Sequence, residues 1–450
     1  MTATLLDRLA RELAQHGSGH GTRQTAAYGE ATAGFVVALS GGVDSVTLLA
    51  AMRRLGLDVP VRAVHVDHGL HPDSGNWAEF CRSIARRLGV DLQVRAVDCS
   101  ERAGESPEAV ARAARYAAFA EMLQADEVLL SAHHADDQLE TQLYRLLRGT
   151  GVDGLRGVRT VGSVAGVRLV RPFIACTRAQ ILDQAQQWGL EWLEDPANDD
   201  QRFDRNFLRH GVLPGLRARW PGAAHAAVRL AAAAQDSAEL TQALAELDLR
   251  DAGELDCLPL AAFGGLSEAR RRNMLRYATR SLALPLPDAE ALERIVALTF
   301  DDSTAASAAW PGAQAHRHAG SLYLRTAGAA LRGSLPLLPD QQCVVGDGEL
   351  TLVPSDAPAL PASWVRAGLQ VRFRSGGERF HAAGSARGCE LREWMRVNGL
   401  LPWMRDRIPL VFCGEELVAV ADLGLSAAAS AASQNEGGWR VVWRDRPRTH

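Results

Sequence analysis

From residue 34 the chain alternates short apolar runs with helical stretches, and that alternation limits the fold more than any other feature. GFVVAL (34–39) has the length of a buried strand, SGGVDS (40–45) is a tight turn, and VTLLAAMRRLG (46–56) has helical spacing with a terminal glycine. VRAVHV (61–66), LQVRAV (92–97) and EVLLSA (127–132) repeat the strand pattern. Between them, a helix from about Asp73 puts Ala78, Cys81, Ile84 and Leu88 on one face, and Ser106-Pro107-Glu108 reads as an N-cap, a first-turn proline and a first-turn acid. DDQLETQLYRLLRG then predicts a helix ending at Gly149. Strands with intervening helices predict a doubly wound parallel sheet, whose ligands sit beyond the carboxyl ends of the strands.

Beyond this region the pattern weakens around Val158–Val170, and RPF (171–173) reads as a connection. Thr177 and Gln180 form a capping box for ILDQAQQWG. From 203 to about 300 the chain is rich in Ala, Leu and Arg without convincing strands, and reads as helical. VRFRSGG, LVFCG and ELVAVADL predict a small C-terminal module with strands, and 426–433 reads as a loop or weak helix. The expected fold class is α/β: a doubly wound parallel-sheet domain (1–215), a helical domain (216–330) and a small α/β C-terminal domain (331–450).

Composition narrows the chemistry. All 49 basic residues are arginine, against 53 acids, for a net charge of −4. Without lysine there is no P-loop lysine, no kinase-type strand lysine and no Schiff base. The seven cysteines (Cys81, Cys99, Cys176, Cys257, Cys343, Cys389, Cys413) include no C-x-x-C pair, so a zinc ribbon or redox dithiol is unsupported. No apolar run approaches the roughly 18 residues of a membrane span, and the N-terminus reads as an amphipathic helix without a signal peptide's apolar centre. A cytoplasmic protein with no membrane contact is expected.

Ser40-Gly41-Gly42-Val43-Asp44-Ser45 carries the strongest chemical signal. Two glycines let backbone approach a polyanion, the following helix offers free amides and its positive dipole end, and Asp44 can hold a magnesium ion. On the helix after the fourth strand, His133, Asp136, Asp137 and Glu140 are spaced to share one face. Clustered carboxylates call for a cation, either magnesium or an ammonium group; the plainer reading is capping of the helix dipole. Arg112 and Arg115 lie three apart on the helix after Ser106, as a nucleotide contact or a solvated face. His65 and His68 follow the second strand, and His68, before Gly69, is the better candidate. Six arginines against one acid from Arg202 to Arg229, and nine against four from Arg366 to Arg407, give two local excesses of +5. They interleave with Phe203, Phe207, Trp220, Trp394 and Trp403, which suits phosphate contacts and base stacking.

SGGVDS resembles the signature of the PP-loop ATP pyrophosphatases, which need no loop lysine. Within them the chain is similar to the tRNA(Ile)-lysidine synthetases, through His65-Val66-Asp67-His68-Gly69-Leu70, Ala111-Arg112-Ala113-Ala114-Arg115-Tyr116 and the run from Ser131 to Thr141. Arg145–Gly151, Asp195-Pro196-Ala197-Asn198-Asp199, Arg205-Asn206, Leu208-Arg209, Gly376–Arg379 and Pro402–Leu410 continue the likeness. The resemblance implies that free L-lysine is ligated to C2 of the wobble cytidine of a tRNA(Ile) with a CAU anticodon, through an adenylated tRNA, with ATP giving AMP and pyrophosphate. Ser40, Gly41, Gly42, Val43, Asp44, Ser45, His68 and His133 would bind ATP, and Asp44 and Asp136 would hold Mg²⁺. Asp44, Asp137, Glu140, Arg112 and Arg205 would be catalytic, with a homodimer as one option for the assembly. The rival readings are a PP-loop tRNA 2-thiolation enzyme and a non-catalytic nucleotide- or RNA-binding relative. Two features depart from the family: residues 381–397 lack the usual proline after GGER and carry arginine where lysines are common, and 300–365 holds no recognised motif.

Overall fold

A computed structural model describes residues 4–16, 32–69, 74–99, 107–194, 202–300, 306–328, 333–346, 348–356, 358–433 and 438–450. The chain divides into two compact units, 1–244 and 245–450. Leu70, Ser106 and the Asp195–Asp199 motif lie outside the described residues.

The first unit opens with α1 (Leu5–His16), an amphipathic helix that buries Leu5, Leu9 and Leu13 at four-residue intervals. β1 (Gly34–Ala38), α2 (Val43–Leu55), β2 (Val61–Asp67), α3 (Ser74–Leu88), β3 (Leu92–Ala96), α4 (Pro107–Met122), β4 (Glu127–Leu130) and α5 (Ala135–Leu147) follow in strict alternation. After α6 (Val152–Leu155), β5 (Val161–Val164) and β6 (Val167–Val170) form a hairpin, and α7 (Arg178–Gln187) closes the layer. The sheet order is β3-β2-β1-β4-β6-β5, parallel except for β5. The doubly wound parallel sheet is therefore present. Gly34–Val37 of β1 are all buried, as expected of a central strand covered on both faces. One layer packs Leu48, Leu49, Met52, Cys81, Ile84 and Ile181 against the sheet; the other packs Tyr116, Phe119 and Met122 on Val36, Val64 and Leu129. The strand order reverses between β1 and β4, so the loops after these two strands flank the crevice where a ligand belongs.

The β5–β6 hairpin was hidden in the sequence by its glycines. Ala165 and Gly166 both take positive φ (50° and 79°), which makes the tight turn, and β6 adds to β4 in parallel. Then α8 (Asp204–Phe207), a wider π-type turn at Leu208–Val212 and α9 (Leu213–Arg219) precede the long α10 (Ala223–Asp248). Pro214 has no N–H for the His210 carbonyl, which fits the widened turn before it.

In the second unit, helices at Glu268–Ser281 and Ala289–Ala297 share a core with a four-stranded antiparallel sheet built from Cys257–Pro259, Ser307–Trp310, Ala313–His318 and Ser321–Thr326. The segment read as helical thus also carries strands. Their inward residues include Ala313, Ala315, Leu322 and Leu324, an alternation masked by small alanines. The C-terminal module holds a five-stranded and a four-stranded sheet around Leu350, Val371, Leu391, Met395 and Val418. Ala427–Ala432 is a short helix capped by Ser426.

Candidate active site

The phosphate loop is the turn out of β1. Gly41 takes φ 92°, and a Cβ there would lie 3.1 Å from Leu193 Cδ1 and 3.3 Å from Cys81 Sγ. Both the backbone and the space exclude a side chain. Gly42 is the N-cap of α2 and no side chain caps that helix, which leaves its first amides for an anion. Ser45 Oγ donates to the Gly42 carbonyl at 3.0 Å and accepts from Ser40 N–H at 3.1 Å, with Ser40 Oγ a further 3.1 Å contact. Buried Val43 anchors the first turn in the core.

Asp44 connects this loop to the one after β4. Its Oδ2 lies 3.7 Å from His134 Nε2, and its Oδ1 is buried without a hydrogen-bond partner. His134 is the N-cap of α5: its Nδ1 accepts from Asp137 N–H at 3.3 Å, and Asp137 Oδ2 accepts from His134 N–H at 2.9 Å. Burial pulls the His134 pKa down, but the carboxylates of Asp137, Asp44 and Asp136 outweigh it and the net shift is upward.

The expected single helix face needs correction. α5 begins at Ala135, so His133 precedes the helix and lies 2.7 Å from Ser131 Oγ through its Nδ1. Burial, with further help from Arg171, Arg115 and Arg112 against Asp137, pushes His133 down to about 4. It is a neutral ring at ordinary pH. The paired histidines have different work: His134 caps, and His133 faces the arginines.

Counter-charges for the carboxylates come from Arg209, of the Leu208-Arg209 motif, and from Arg217, neither of which the sequence reading paired with an acid. Arg209, on the π-type turn, places Nε 2.9 Å and Nη2 2.8 Å from Glu140 Oε2, and Nη2 3.9 Å from Asp137 Oδ1. Arg217 Nη2 lies 2.9 Å from Asp136 Oδ1. Asp136 Oδ2 accepts from Arg178 N–H at 2.7 Å, at the start of α7. Burial raises the Glu140 carboxyl above its ordinary range, with Arg209 the main opposing influence. The signal was available: buried acids demand partners, and an arginine-rich segment followed.

Arg112 is exposed and Arg115 half-buried, with guanidiniums 5.0 Å and 5.6 Å from the Tyr116 ring centroid. His68 is half-buried, with Nδ1 3.7 Å from Cys99 Sγ, and burial followed by Arg115 lowers its pKa. His65 is a core residue: it is buried and its Nδ1 donates to the Leu39 carbonyl at 2.8 Å. Arg205 lies 5.6 Å from the Tyr144 ring and acts electrostatically on Glu140.

Of the aromatic residues offered for base stacking, Phe203, Phe207 and Trp220 stand exposed. Trp403 instead stacks on His316 at 4.3 Å, and Trp394 packs edge-on against Phe380 at 5.1 Å. Both tryptophans stabilise the second unit from within.

The donor set fits magnesium at one of the two expected residues. Asp44 offers a hard oxygen with no other partner, whereas both Asp136 oxygens already face Arg217 and an amide. Among the described residues no three His, Cys, Asp or Glu side chains gather as a metal cage. Magnesium commonly takes one or two carboxylates together with phosphate oxygens and water, so a single Asp at the phosphate loop suffices.

Known proteins match this chain over most of its length. Family profiles identify a PP-loop domain over residues 18–216, a TilS substrate binding domain over 258–323 and a TilS substrate C-terminal domain over 369–443. The tRNA(Ile)-lysidine synthase of Coxiella burnetii is 36% identical over 425 residues, covering 90% of this chain and 92% of that protein. The one from Alkalilimnicola ehrlichii is 38% identical over 432 residues, covering 93% and 95%. Among solved structures, the U34-tRNA thiolase NcsA of Methanococcus maripaludis is similar at 14% identity and a TM-score of 0.41, over 50% of this chain and 76% of that one.

Proposed function

The chain belongs to the tRNA(Ile)-lysidine synthase family, and from that membership we propose how its residues carry out the ligation of free L-lysine to the wobble cytidine of a CAU-anticodon tRNA(Ile). The observation that carries the reading is the pairing, across one crevice, of an uncapped glycine-rich helix start with a buried carboxylate cluster. The first binds phosphate; the second binds an amine.

In the first step the cytidine C2 oxygen attacks the α-phosphorus of ATP and pyrophosphate leaves. Amides of the Ser40–Ser45 turn and the dipole of α2 stabilise the departing charge. Asp44 would hold Mg²⁺, whose chemistry there is neutralisation of phosphate charge. Arg112 and Arg115 add fixed positive charge, and neutral His133 can donate or accept without repelling either partner. The base must leave its stack to arrive here, as single-stranded RNA recognition requires. Exposed Phe203, Phe207 and Trp220 with Arg205 and Arg219 form the surface that would receive the anticodon arm.

In the second step the lysine ε-amine attacks C2, the C2–O bond breaks and AMP departs. The amine, with a reference pKa near 10.4, must lose a proton to react. Glu140 is the favoured acceptor: burial makes it more basic than an exposed glutamate, and Arg209 keeps it oriented. Asp137 is committed to the α5 cap and would orient the ammonium rather than take its proton. Asp136 would join Asp44 on the metal only by releasing Arg217. The reaction draws on tRNA, ATP and free lysine, which meet in the cytoplasm; among the described residues no helix is long and apolar enough to cross a membrane.

A 2-thiolation enzyme would need cysteines to carry sulfur or a cluster. Here no two cysteines stand in C-x-x-C spacing, and Cys81, Cys176 and Cys343 are buried. The test is nucleoside analysis of a tRNA(Ile) transcript incubated with ATP and lysine. The reading expects lysidine at the wobble position with lysine present, and an adenylated cytidine when lysine is withheld. A thiolated base, or an unmodified one from folded protein, would overturn it.

A further inference from the structure

One charged group near the site has no assigned work. Arg171 follows β6 directly, is 7% exposed, and donates from Nη1 to the Arg159 carbonyl at 2.6 Å. Its Nε is buried without a hydrogen-bond partner. No ion pair holds it among the described residues; its charged neighbours are Arg112 and Arg159, and the Tyr116 hydroxyl lies against its guanidinium. His133 feels Arg171, Arg115 and Arg112 together. Three arginines thus act on one ring that stays neutral, against the Asp137 carboxylate on the α5 side, while Arg171 itself has no carboxylate on its guanidinium among the described residues. Burying an uncompensated cation beside like charges is costly, so the arrangement persists at a benefit elsewhere.

We propose that Arg171, backed by Arg112 and Tyr116, receives the α-carboxylate of the amino-acid substrate. This rests on the lysine-ligating reading above and adds a recognition element for the end of the molecule that does not react. The site is then bipolar. Asp137 and Glu140 on α5 take the amine, Arg171 at the end of β6 takes the acid, and His133 stands between them after β4. Strand order separates this anion from the nucleotide's phosphates. They belong to the loop after β1, and β1 and β6 are two strand spacings apart, about 10 Å. The orphaned Nε and a fork geometry suit a carboxylate, which can take two guanidinium hydrogens at once.

The test compares L-lysine with L-lysinamide, which keeps both amines and lacks the acid, as substrates for transfer to the tRNA(Ile) transcript. The wild-type protein is expected to prefer lysine in kcat/KM. Arg171→Gln lowers that preference by about ten- to a hundredfold, the worth of a charge-assisted hydrogen bond. Arg171→Lys, which keeps the charge and loses the fork, falls between. An unchanged lysine-to-lysinamide ratio in R171Q overturns the proposal, including the case in which both substrates and ATP weaken together because the anion is phosphate. Should R171Q not fold, the wild type and R171K still decide it: a wild-type ratio near one overturns the proposal. Transfer of neither compound by the wild type would instead sink the lysine-ligating reading itself.

Discussion

Glu140→Gln separates the chemical role of the carboxylate from its structural one. Glu140 is 4% exposed, and one of its oxygens accepts a hydrogen bond from Arg209 Nε at 2.9 Å and lies 2.8 Å from Arg209 Nη2. The glutamine carbonyl can accept the same Arg209 hydrogen bond. What is lost in stability is the difference between charge-assisted and neutral bonds, about 1 kcal/mol. Against that, burial raises the Glu140 pKa, so the ionised carboxylate carries a desolvation cost that glutamine escapes. The two effects oppose each other and the thermal midpoint at neutral pH should barely move. The sign with pH follows. A folded-state pKa raised above the unfolded one contributes stability that is fully present below the ordinary glutamate range and is lost as pH rises through the folded value. The stability of the wild type relative to E140Q therefore declines with rising pH. Lysine transfer loses a general base, about 10²–10⁴-fold. Pyrophosphate release measures adenylation and radiolabelled lysine in tRNA measures transfer. The reasoning predicts near-normal release with crippled transfer. Normal lysine saturation and turnover in E140Q would refute it.

Other changes read other parts of the account. Gly41→Ala forces a side chain onto φ 92° and into Leu193 and Cys81; a local strain of about 1–3 kcal/mol should displace the loop and raise KM for ATP. His133, with its pKa near 4, makes the fold lose stability as pH falls from the ordinary histidine range toward 4, and its ring should titrate only there by NMR. A His133→Asn variant should flatten that loss. Phe203→Ala and Phe207→Ala should each weaken tRNA binding by about 1–3 kcal/mol in filter-binding titrations. Trp403→Ala should instead lower the melting temperature, because its ring is already stacked on His316.

Periodicity made the nucleotide-binding sheet legible. Each strand–helix pair from Gly34 to Leu147 is a local pattern, and the strand-end rule then located the crevice. The glycine loop was equally readable, since Gly41 at φ 92° is a backbone requirement written as a residue type. Partnerships over long sequence separations were not readable. Arg209 and Glu140 are 69 residues apart, and nothing local tells an arginine aimed at a carboxylate from one aimed at phosphate. The same limit hid the Trp403–His316 stack. Spacing also misled at His133, because the i, i+3, i+4, i+7 pattern assumes a helix already running, whereas His134 caps it one residue later. The strands around Ala313–Thr326 escaped because alanine and arginine blur a two-residue alternation.

The central claim is that the cytidine C2 oxygen becomes the oxygen that carries AMP away. Labelling that oxygen with ¹⁸O in a tRNA(Ile) substrate and weighing the products after lysine transfer tests it directly. The account predicts one ¹⁸O in the phosphate of the released AMP for each lysine joined. Recovery of the label in water, or its retention in the modified nucleoside, would contradict it.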